Sequence, residues 1–113
     1  MSAARAEAFL WAAQRVTAVF LAFFVLVHLA TIVYAVRGGL SAAQILARTH
    51  ASLAWPFFYA LFVLAASVHG AIGLRAIAGE WLAWRGRSAD FAVALIGLAL
   101  LWLGLRAVVA VSA

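Results

Sequence analysis

Residues 16–36 contain no charged side chain. At about 1.5 Å per residue a helix of that length crosses the ~30 Å hydrocarbon core of a bilayer. Two further runs follow, at 53–78 and 91–110. Pro56 falls near the start of the second, where a helix tolerates proline, and Arg106 alone interrupts the third, close to its far end. The chain is 70% hydrophobic and 10% charged, whereas soluble domains run near ~45–50% apolar and ~25% charged. A water-soluble fold of 113 residues cannot hide that much apolar surface. The reading is therefore an all-α membrane protein with three transmembrane helices, a single unit over residues 1–113. No linker or low-complexity segment divides it. The first run is too long for a signal peptide and lacks a convincing cleavage site.

Without cysteine the chain has no disulfide, no iron–sulfur ligation of its own and no thioether attachment of haem. The net charge of +5 comes from arginine, since there is no lysine. These arginines sit at the ends of apolar runs, so lipid headgroups and topology explain them better than nucleic acid does. Arg5, Arg15, Arg75, Arg85 and Arg87 fall on the N-terminal side, and Arg37, Arg48 and Arg106 on the other. The bias predicts a cytoplasmic N-terminus and an outward-facing loop at 37–52. Trp81 and Trp84 lie in the second loop, where indoles anchor at headgroups. The stretch 79–90 reads as an interfacial connector or a docking surface for a soluble partner.

Two histidines lie inside the spans, His28 and His69. Ionisable groups at membrane depth are costly and so are candidates for function, although a neutral imidazole bonded to a neighbouring helix is the plain alternative. On a helix, His69 shares its face with Ala65, Ala66, Ile72 and Gly73. Small residues there leave room for a flat ligand standing edge-on beside the helix. They also suit close helix packing. Around His28, Gln14, Thr17, Leu21, Phe24, Thr31 and Ala35 gather on one side of the first span, with Phe24 and Ile32 bulky neighbours. That stripe should face protein or cofactor rather than lipid.

Depth separates the two histidines. His28 stands nine residues before Arg37, and His69 stands 17 residues after Ser52, travelling back from the same side. The difference corresponds to ~12 Å at helical rise. Two axial ligands of one haem iron must lie level, so these two histidines should not bind the same haem. The remaining histidine, His50, reads as a solvated loop residue. Two haems, if present, would then require another chain.

The segment Gln14-Arg15-Val16-Thr17 followed by His28, together with His69-x-x-x-Gly73-x-Arg75, resembles the cytochrome b membrane-anchor subunits of succinate dehydrogenases and fumarate reductases. The spacing of 41 residues between the histidines is close to that family's helix-to-helix distance. Single-haem members continue the second motif with histidine, where this chain has Ala76. They also carry a serine where it has Trp11, so the resemblance is closest to the di-haem type.

It implies three helices forming half of a haem-binding bundle, with His28 and His69 as axial ligands of two b haems shared with a second membrane subunit, homologous or identical. It further implies Gln14, Thr17 and Gly73 beside the cofactors, and flavoprotein and iron–sulfur partners. Quinone is the implied substrate and a bacterial cytoplasmic membrane the implied location. Arg15 and Arg75 are either partners of haem propionates or quinone, or plain interface anchors. Substrate chemistry would belong to other subunits. Two alternatives carry different expectations. A haem b subunit of formate dehydrogenase or hydrogenase shares the histidines. A small multispan transporter would need an intramembrane acid, and Glu7, Glu80 and Asp90 lie outside or at span ends.

Overall fold

The computed structural model describes residues 2–112. The first helix, α1 (Ala3–Arg37), starts at Ser2, whose hydroxyl accepts from the Arg5 amide at 3.2 Å. Its 35 residues span about 52 Å, well beyond the apolar run at 16–36. The extension follows from composition. Residues 3–15 include no glycine or proline, and alanine, glutamate and arginine favour helix. Gly39, with φ +63°, takes the left-handed turn that ends it, and Leu40 donates back to the Ala35 carbonyl at 3.0 Å.

The loop expected at 37–52 instead holds a short helix, α2 (Ala42–His50). Ser41 and Gln44 form a reciprocal capping box: the Ser41 hydroxyl accepts from the Gln44 amide at 3.2 Å, and the Gln44 side chain accepts from the Ser41 amide at 2.8 Å. Then come α3 (Ala54–Trp81) and α4 (Arg87–Ser112), joined by a tight turn with Gly86 at φ +94°. In that turn Arg85 donates to the Gly79 carbonyl, and the Trp84 indole donates to Ser88 at 2.9 Å. The connector at 79–90 is thus mostly helix end and helix start.

The fold is all-helical, and α1, α3 and α4 are each long and apolar enough to cross a membrane. The chain is a multi-pass membrane protein. Helix α3 lies between α1 and α4, which hardly meet each other. Against α4 it packs through small residues, the arrangement that lets membrane helices approach closely. A side chain added at Gly97 would meet Ala71 at 3.0 Å, and one at Gly104 would run into Val63. Helix α2 lies at the opposite end from the N-terminus, where the Thr49 hydroxyl donates to the Val111 carbonyl of α4 at 2.6 Å.

Between α1 and α3 the register is antiparallel and regular. Gly73 faces Gln14, His69 meets Thr17, Phe62 stacks on Phe24, and Tyr59 meets His28. The paired residue numbers add to 86 or 87 throughout. Phe24, 6% exposed, is the large aromatic of this seam, with Phe58 edge-on at 5.1 Å.

Candidate cofactor site

The register sets the two histidines at different levels. Their partners on α1 and α3 are eleven and ten residues apart, which places the imidazoles about 15 Å apart along the bundle. The sequence estimate from span ends was ~12 Å. The difference arises because the connection between the spans includes α2, so the span edges are not level. His50 lies in the last turn of α2, exposed and far along the chain from both.

His69 is half-buried, and its Nδ1 lies 3.2 Å from the Thr17 hydroxyl. That hydroxyl also faces two carbonyls of its own helix, Ala13 at 2.7 Å and Gln14 at 3.1 Å. Nε2 of His69 has no hydrogen-bond partner among the described residues and is not sealed inside the chain. One turn toward the N-terminus, Gln14 packs its amide against Gly73, whose added Cβ would come within 3.3 Å of Gln14 Nε2. The Gln14 side-chain oxygen, Oε1, is buried with no partner among the described residues. Leaving such an acceptor unmade costs about 1–3 kcal/mol, so this end of the seam has a donor missing.

The sequence had grouped Gln14, Thr17 and Thr31 with His28. Instead Gln14 and Thr17 serve the level of His69, and Thr31 turns back to the His28 carbonyl. The small-residue face of α3 is likewise divided. Gly73 is filled by Gln14, so its smallness first serves the α1–α3 contact. Ala65 is buried, and Ala66 lines a cavity near His28.

His28 is held by Tyr59, a residue the sequence reading passed over. The Tyr59 hydroxyl lies 3.1 Å from His28 Nδ1, and Phe62 stands edge-on to the ring at 5.8 Å. Two apolar cavities flank this histidine, of about 240 Å³ and 440 Å³. Both are lined by His28, Tyr59, Ile45 and Thr49. Ile32 borders the smaller one, whereas Phe24 is turned into the seam with α3. Space of this size, apolar with few polar groups, is typical of small-molecule sites.

The arginines have separate fates. Arg75 uses both edges of its guanidinium within the chain: Nη2 reaches Glu7 of α1 at 2.8 Å and Nε reaches Asp90 of α4 at 2.8 Å. One side chain thereby ties the three spans at their N-terminal end. Arg15 lies over the Trp11 ring at 4.5 Å. At the other end Arg48 donates to Tyr34 at 3.2 Å and lies over its ring. No group of three or more metal-binding side chains occurs among the described residues.

A flat, one-ended metal complex fits this donor set. It needs a single imidazole nitrogen per face, an apolar flank and a polar rim, and no chelating cluster. The unbonded Nε2 of His69 and the cavities beside His28 are the features that match.

A three-span helical membrane subunit with imidazoles at two levels is the class that fold and site define. The sequence profile described as succinate dehydrogenase/fumarate reductase transmembrane subunit matches residues 1–110, and the chain belongs to that family. It is therefore a membrane subunit of a succinate dehydrogenase or fumarate reductase complex, which implies other subunits. No curated protein and no solved structure matches the chain significantly.

Proposed function

We propose that this chain is a haem-b-bearing membrane anchor that carries electrons between a flavoprotein/iron–sulfur module and membrane quinone. The observation that supports it most is the pair of histidines at two levels, each with Nδ1 engaged inside the chain and Nε2 unbonded among the described residues. His69 and His28 would each hold one b haem axially, and a second membrane subunit would supply the opposite ligand. When bound, haem supplies a one-electron store between carriers that exchange two. The residues of this chain bind and orient: Thr17 and Tyr59 fix the imidazoles, Phe62 props His28, and the apolar helices exclude water. Gln14 offers an acceptor beside the His69 level. Arg15 pairs with no carboxylate among the described residues and could meet an anionic group, whereas Arg75 is already spent on Glu7 and Asp90.

The arginine distribution favours an N-terminus in the cytoplasm of a bacterial cell. The His69 level would then lie nearer the soluble module and receive electrons first. The test is haem-to-protein stoichiometry with redox titration in the intact complex. Two haems are expected in the wild type and one in either His69→Ala or His28→Ala. A single haem retained in His28→Ala would reduce the chain to a one-haem anchor.

A further inference from the structure

We infer that Thr17 is a positioning residue that fixes the proton of His69 on Nδ1 and so commits Nε2 as the iron-binding nitrogen. The inference rests on the reading of His69 as an axial ligand, and goes beyond it by naming the atom and what holds it. A threonine hydroxyl has one proton and two acceptor lone pairs. Two acceptors within its own helix compete for that proton, the Ala13 carbonyl at 2.7 Å and the Gln14 carbonyl at 3.1 Å. Both are closer than the imidazole, at 3.2 Å. The hydroxyl proton therefore points back along α1, and only a lone pair remains for His69. For the contact to be a hydrogen bond, Nδ1 must carry the hydrogen and donate it.

A neutral imidazole has one N–H, so Nε2 of His69 holds the free lone pair. That nitrogen has no partner among the described residues and is not sealed off. At His28 the geometry fixes neither tautomer. The Tyr59 hydroxyl has no second partner among the described residues, so it is free to give or to accept the bond to Nδ1. The two levels thus differ in kind, with one tautomer fixed by sequence-local geometry and the other left to the cofactor.

An acceptor on the far nitrogen makes a ligating imidazole a stronger donor. It favours ferric over ferrous iron and lowers the potential of the His69 haem. Thr17→Val removes the acceptor at nearly constant volume, and Thr17→Ser restores it. In the purified complex, redox titration should show Thr17→Val raising the midpoint of one haem only. The expected shift is about threefold in its oxidised-to-reduced ratio, about 28 mV at ~59 mV per tenfold for one electron. The serine variant should titrate like the wild type, and the other haem should not move.

Should the valine complex fail to assemble, Thr17→Ala removes the hydroxyl without added bulk and is titrated instead. An unchanged midpoint in the valine or alanine variant overturns the inference, as does a shift that serine does not correct. His69→Ala separates the layers. If it keeps both haems, the reading of His69 as a ligand fails. If it loses one while Thr17→Val leaves both midpoints unmoved, only the role of Thr17 fails.

Discussion

At the N-terminal end one side chain of α3 ties together α1 and α4, which otherwise hardly touch each other. Arg75 bridges Glu7 and Asp90 at 2.8 Å each, with its side chain 34% exposed and theirs more so. Exposed pairs of this kind are worth about 0–1 kcal/mol apiece, so the bridge selects an arrangement more than it supplies stability. A double-mutant cycle in detergent measures this. Glu7→Gln and Asp90→Asn should each cost up to about 1 kcal/mol beside Arg75 and close to nothing in Arg75→Gln. Arg75→Lys should behave nearly as Arg75→Gln, because a single ammonium lacks the fork that reaches two helices. Equal costs in both backgrounds would mean the bridge is idle.

At the scale of elements, glycine chemistry ranks the contacts. Gly104 lies so close to Val63 that no real Cβ is accommodated, whereas at Gly73 the neighbour is the end of a flexible glutamine. Gly104→Leu is expected to separate α3 from α4 and lower thermal stability of the complex by the equivalent of about 1–3 kcal/mol. Gly73→Ala should be mild, and Gly73→Leu should impair packing on Gln14 before it obstructs any ligand. Comparing the midpoints of thermal unfolding tests the ranking, which fails if Gly104→Leu is the gentler of the two leucine variants.

The three spans were legible from the length of their apolar, nearly charge-free runs, because a bilayer imposes that length. Their ends were not, since α1 continues on helix propensity after its apolar run stops. Helix α2 was announced by Ser41 and Gln44, a spacing easily taken for ordinary loop residues. His28 and His69 stood out by being ionisable. Tyr59 did not, because an aromatic in an aromatic-rich helix gives no signal until the register with α1 is known. The same register moved Gln14 and Thr17 to the level of His69. A helical wheel shows which residues share a face; only a partner helix shows which level each one meets.

For the whole molecule, all the acidic side chains, Glu7, Glu80 and Asp90, fall at the N-terminal end, while Arg37, Arg48 and Arg106 stand at the other without a carboxylate side chain. The turn between α3 and α4 lies on the same side as the N-terminus, and α2 on the opposite side. The lack of native cysteine makes this easy to test. Introduced at Ser2 or Ser88, a cysteine should react with an impermeant maleimide only after the membrane is opened. At Ala43 it should react in intact cells. The reverse pattern would place the His69 level on the outer side and remove the proposed order of electron entry.

Apart from Phe24, Val93 and Val108, the buried side chains are alanines and Ser67. Such a chain has little interior to defend when it is alone in the lipid. Inside a cell, the membrane proteases that clear orphan subunits would find it an easy substrate until the other subunits of its complex assemble on it. Pulse-chase labelling without the partner genes should then show rapid turnover, with the subunit made in least amount deciding how much anchor accumulates.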